Sequence, residues 1–259
     1  MRRWYKLLNL NDWLERRRVF ADIRALELQE SYAALDGSNP LHLAKISLQV
    51  GDVIEASRRW DQACVSHPVL VRRSPDSITI LLGLKRFDEA EALIASCKQE
   101  FPGDSHYAEG YSLVPQSRGD IAEALGRWRK AQRRFPAAWR SYVEEAVCLC
   151  LLGKAGEADR LLTNAIRMFP EQLHIWIQWG RVSDAQSEWN QSAERWQSVA
   201  DKFQWPGGII GKSRALVNLG NPTEALSVLT DAKDKFRSDP DLQQEIARLS
   251  KAVNQTNSH

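Results

Sequence analysis

GDIAEALGRWRKAQRRFP, residues 119–136, reads as a turn, one amphipathic helix and a stop. Gly119-Asp120 breaks whatever precedes it, Ala124, Trp128 and Ala131 share one face at helical spacing, and Pro136 cannot continue the helix. The pattern recurs on both sides at a constant stride. Prolines stand at 68, 102, 136 and 170, 34 residues apart, and Phe101, Phe135, Phe169 and Phe203 keep the same interval. A chain with such a period stacks like units, each contacting only its neighbours, so its 259 residues count repeats and not domains.

Aligned on the proline, the repeats span 37–70, 71–104, 105–138, 139–172, 173–205 and 206–237. Other columns then agree. One reads Ala56, Ala90, Ala124, Ala158, Ser192, Ala225, each preceded by Glu or Gln; a second reads Ala63, Cys97, Ala131, Ala165, Val199, Ala232; a third reads Ala44, Ile78, Ser112, Ala146, Gly180, Ser213. Small residues at these places let two antiparallel helices approach closely. A fourth column, Trp60, Ile94, Trp128, Leu162, Trp196, Leu229, is large throughout and is expected to be buried, with tryptophan in every second repeat. Turn signals at Gly51-Asp52, Gly119-Asp120, Gly153-Lys154 and Gly220-Asn221 separate the two helices, with Lys85-Arg86 replacing the glycine in repeat 2. Pro115 is expected to shorten or kink the first helix of repeat 3.

This pattern resembles the tetratricopeptide repeat (TPR), a helix-turn-helix unit of 34 residues with small residues in the first and second helices, an aromatic in the second and a closing proline. The resemblance covers about Gly37 to Arg237. It implies an all-α, right-handed solenoid of about six hairpins acting as a non-enzymatic scaffold that holds a partner peptide or protein in a concave groove. Residues 1–36 are expected to form a basic, aromatic N-terminal segment and capping helix, residues 238–254 a C-terminal cap, and residues 255–259 a disordered tail. The stretch from Gly126 to Trp139 also resembles tryptophan-rich bacterial repeat proteins linked to glycosyl- or sulfotransferases, so an accessory module of cell-envelope polysaccharide assembly is the alternative.

Composition points away from several functions. A formal charge of +2 provides no global field for nucleic acid, and the Arg127, Arg129, Lys130, Arg133, Arg134 patch around Trp128 reads as a solvated convex face. Four cysteines make no disulfide framework and read as reduced core thiols of a cytoplasmic protein. No apolar run reaches the ~20 residues that cross a bilayer. The Arg2, Arg3, Trp4, Tyr5, Lys6 start could lie on an anionic membrane, but an ordinary cap is the preferred reading. Five histidines form no HExxH or cysteine pairing, so no metal, cofactor or catalytic residue is expected. PGGIIGKS at 206–213 misses the phosphate-loop pattern at its first position and reads as the glycine-loosened start of a helix. Glu144-Glu145 reads as a solvated pair.

One row remains unexplained by folding. Arg72, His106, Arg140 and His174 occupy the same place in four consecutive repeats, and Lys45, Arg181 and Arg214 share a second place further along the first helix. Cations near a helix N-terminus oppose its dipole, so helix stability does not account for them. The resemblance implies that the first of these places borders the groove. The two sets are therefore expected to form a basic track for an acidic peptide, a chain terminus or an anionic polymer. The Lys and Asn clamp that some TPR proteins use for a peptide carboxylate is not matched.

Overall fold

The computed structural model describes residues 40–256, so the expected N-terminal segment and cap lie outside the described residues. Among the described residues every regular element is helical, fourteen in all, and contacts divide the chain after Phe135 into two compact units.

The N-terminal unit holds α1 (Pro40–Gln49), α2 (Val53–Ser66), α3 (Pro68–Arg73), α4 (Pro75–Gly83), α5 (Phe87–Glu100), α6 (Ser105–Arg118) and α7 (Ile121–Arg134). Helices α1/α2, α4/α5 and α6/α7 form hairpins, and the first helices pack in sequence, α1 on α4 and α4 on α6. The C-terminal unit repeats the scheme with α8 (Trp139–Leu151) and α9 (Ala155–Met168), α10 (Leu173–Gln186) and α11 (Trp189–Phe203), then α12 (Pro206–Asn218) and α13 (Pro222–Asp231). A final helix, α14 (Pro240–Thr256), covers α12 and α13, and Asp239 Oδ1 caps it by accepting from Leu242 N. Within each unit this is the solenoid arrangement of stacked hairpins.

The first of the small columns lies at sealed helix crossings. Ala56, Ala90, Ala124, Ala158, Ser192 and Ala225 are all fully buried. Where repeat 2 carries the oversized Ile78, the next first helix carries Gly110, and a Cβ there would stand 2.6 Å from Ile78 Cδ1. The large column is sealed as expected: Trp60, Trp128 and Trp196 are 3, 0 and 6 % exposed, and Ile94, Leu162 and Leu229 are fully buried. Each such burial contributes roughly 1.5–3 kcal/mol or more.

Hairpin turns need one left-handed residue to end the first helix. Gly51, Gly119, Gly153 and Gly220 supply it in four repeats, while Lys85 and Ser187 take φ 59° in the other two. Two expectations are corrected in part here. Pro115 does not shorten α6, which runs its full 14 residues to Arg118. The proline removes one helical N–H, and the carbonyl left waiting, Tyr111 O, instead accepts from Arg127 Nη1 at 2.8 Å. Nor does Pro68 simply close its repeat: the short α3 starts on it, and Ser74 and Pro75 then start α4, so the first helix of repeat 2 is built in two pieces.

Candidate partner-binding surface

The basic residues of the first helices divide between the two units. In the N-terminal unit Arg72 is exposed, and its carbonyl accepts from Tyr107 Oη at 3.0 Å. His106 is half-buried, edge-on to Tyr107 at 5.7 Å. Lys45 Nζ donates to Asp76 Oδ1 at 2.7 Å, bridging α1 to α4. In the C-terminal unit Arg140 approaches Glu144 at 3.9 Å, and the exposed His174 stacks on Trp139 at 5.2 Å. Arg214 reaches Glu245 at 3.3 Å, bridging α12 to α14.

Lys45 and Arg214 meet an acid 31 residues ahead, on the next first helix. The same offset from Arg181 leads to Lys212. Together α10 and α12 therefore carry Arg181, Lys212 and Arg214 against a single acid, Asp184. That acid is committed inward: it accepts from Ser192 Oγ and, at 3.1–3.2 Å, from Trp196 Nε1. Burial raises the Asp184 carboxyl pKa against these hydrogen bonds, and burial likewise lowers the Arg181 guanidinium.

A second set of arginines escaped the sequence reading. Arg59, Arg127 and Arg195 precede the three buried tryptophans, and each donates to the first-helix carbonyl 16 residues earlier: Leu43 at 3.5 Å, Tyr111 at 2.8 Å and Trp179 at 3.1 Å. Arg127 also bonds Glu91 and Glu123 and lies 3.7 Å over the Tyr111 ring, while Arg195 meets Asp159 at 2.6 Å and lies 4.4 Å over Trp179. The basic patch of repeat 3 is thus not wholly a solvated face, because Arg127 is folded into the hairpin with only 12 % of its side chain exposed. An Arg-Trp pair in every second repeat was the available signal.

Against solved structures, the chain is similar to a thermophilic TPR protein in Thermus thermophilus, at 20% identity over 69% of this chain and 98% of that one, with a TM-score of 0.52. The chain has the tetratricopeptide-repeat fold. The TPR arrangement is shared with PilW, described as a widely conserved type IV pilus biogenesis factor (16% identity, 79% and 96% covered, TM-score 0.55). It is shared also with a TPR protein from Parabacteroides merdae (11%, 83% and 86%, 0.51). No protein-family model and no curated protein matches the sequence.

Within this TPR stack the phosphate-loop near-miss is helix from its proline onward. Its glycines serve packing: a Cβ on Gly208 would stand 2.6 Å from the Ala200 backbone nitrogen, and one on Gly211 2.3 Å from Trp196 Cδ2. Glu145 corrects the reading of a solvated acidic pair, since α8 is covered by both α9 and α10 and Glu145 is buried. Among the described residues no three His, Cys, Asp or Glu side chains gather as a metal site, and no helix is long and apolar enough to cross a membrane.

Proposed function

We propose that this chain is a non-enzymatic interaction scaffold that holds an acidic, extended segment of a partner protein along the first helices of its C-terminal unit. The charge imbalance on α10 and α12 carries this reading. Helices α10 and α12 themselves carry three cations to one acid, Asp184, which is turned inward to Trp196; Arg214 is shared with Glu245 of α14 and Lys212 donates to Gln197, and that positive stretch lies in the same unit as Arg140 and as His174 stacked on Trp139. A helical hairpin stack supplies no reacting group there. It supplies pre-ordered side chains at a fixed stride, which lowers the entropic cost of ordering an extended peptide. Arg72, His106 and Lys45 would extend the same chemistry in the N-terminal unit, although Lys45 is already engaged by Asp76.

Affinity capture from the native cell with mass spectrometry, run with wild type and with Arg140→Glu/Lys212→Glu, tests the proposal. Both positions reach solvent, so reversal should remove the specific partner while the helical melt stays cooperative and shifts only by the small loss of the Glu144 and Gln197 contacts. A partner retained at wild-type yield by the reversed variant refutes the track.

A further inference from the structure

Three elements of the N-terminal unit, the end of α5, the first half of α6 and the last turns of α7, surround a cavity of about 190 Å³. Its apolar wall is Phe101, Pro102, Ala131 and Phe135, and its polar rim is Lys98, Arg127, Lys130 and Arg134 against Asp104. Four of the five rim groups have a defined position. Arg127 is spent on Glu91, Glu123 and Tyr111 O. Asp104 caps α6, its Oδ1 accepting from His106 N at 2.9 Å, and is the one acid lining the cavity against four cations. Arg134 Nη2 donates to Pro102 O at 2.7 Å, which fixes its guanidinium at the cavity mouth. Lys98 lays its ammonium 4.1 Å from the Tyr111 ring centre, and burial, then the Arg134 and Arg127 charges, pull its pKa down. A half-buried lysine held among like charges is a site short of negative charge.

We propose that this cavity binds an acidic peptide segment, one carboxylate entering between Lys98 and Arg134 and an adjacent apolar side chain resting on Phe101 and Phe135. The size matches a single side-chain group and not a continuous polymer track. Tyr111, already covered by Lys98 and Arg127, leaves its ring occupied where a nucleic-acid base would need to stack. The site is built from residues apart from those of the proposed partner track in the C-terminal unit, so the two can fail separately.

Calorimetric titration of the full chain with an acetylated Glu-Glu-Phe-Glu-Glu amide tests this. Saturable binding is expected, weakened about tenfold or more by Lys98→Met, which keeps an unbranched side chain of similar length but removes the charge. Arg134→Gln should weaken it similarly, while Arg133→Gln, outside the cavity, should not. Circular dichroism melts identify any variant that fails to fold, and the conservative Lys98→Arg, which keeps the charge, should bind close to wild type. Absence of saturable binding, equal loss in Arg133→Gln, or tighter binding of a short single-stranded oligonucleotide than of the peptide would each overturn the assignment.

Discussion

Replacing Gly211 by alanine should destabilise this protein although it improves a helix. Alanine is favoured over glycine in a helix interior by about 1 kcal/mol, and Gly211 sits well inside α12. Against that gain, the new Cβ would lie 2.3 Å from Trp196 Cδ2 and 2.6 Å from Cγ, in the body of a ring that cannot swing away. Trp196 is nearly sealed, is pinned through Nε1 to Asp184, and is already tight on its other side, where a Cβ on Gly180 would stand 2.9 Å from Cε2. Overpacking of this kind costs about 1–3 kcal/mol, and a contact this short on a pinned ring belongs at the upper end, so the net effect is a loss of up to roughly 2 kcal/mol. Thermal unfolding followed by circular dichroism should show a midpoint lower by about 2–4 °C per kcal/mol for a chain of this size. Gly126→Ala is the control: a Cβ there meets nothing within 4 Å on the exposed side of α7, so it should raise stability by about 0.5–1 kcal/mol. In a Trp196→Leu background the Gly211→Ala penalty should vanish, a coupling of about 1 kcal/mol or more. A Gly211→Ala melt at or above wild type, or a penalty that persists without Trp196, refutes the wedge.

Three further outcomes follow from named contacts. Trp128 Nε1 donates to Gln116 Oε1 at 2.7 Å while the buried Trp60 Nε1 has no partner among the described residues, so Trp128→Phe should cost about 1 kcal/mol more than Trp60→Phe in urea unfolding; equal losses would refute this. Lys85 and Ser187 hold φ 59° where four other repeats use glycine, so Lys85→Gly and Ser187→Gly should each raise the melting midpoint by an amount equivalent to about 0.5–1 kcal/mol, and a decrease in both would sink the argument. Burial, then Glu144 and Glu145, raises Cys148 to about 12, and burial, then Asp159, raises Cys150 to about 11. A raised thiol pKa favours the fold while the thiol stays protonated, so that stability is complete below the unfolded value of about 9 and drains as pH rises toward 11–12. Urea midpoints in reducing buffer should fall over that window, less steeply in Cys150→Ala, and a flat profile would contradict it.

The repeat is legible in the sequence because its signals are local or strictly periodic. A proline ending a helix, a glycine ending its partner and a small residue at each crossing depend on sequence distance alone, so the period is enough to assign Ala124 and Trp128 to the buried face, where both are fully sealed. The misreadings share the opposite cause. Pro115 looks disruptive because only the lost N–H is visible in sequence, while the compensating donor, Arg127, arrives from the facing helix. Glu145 looks solvated because its cover comes from two other helices. The basic residues look like a continuous row, yet which of them face acids is set by the 31-residue offset between neighbouring first helices, matched at Asp76 and Glu245 and reversed at Lys212.

The amino-acid order by itself determined that helical hairpins form, the stride at which they repeat, and which face most of them must hide, because backbone sterics and the period of apolar residues act within a few turns. Only the tertiary structure decided which charges are spent within the stack, since pairing depends on groups brought together from separate helices. It alone placed Lys98, Arg127 and Arg134 around one cavity and drove Trp196 against Gly211.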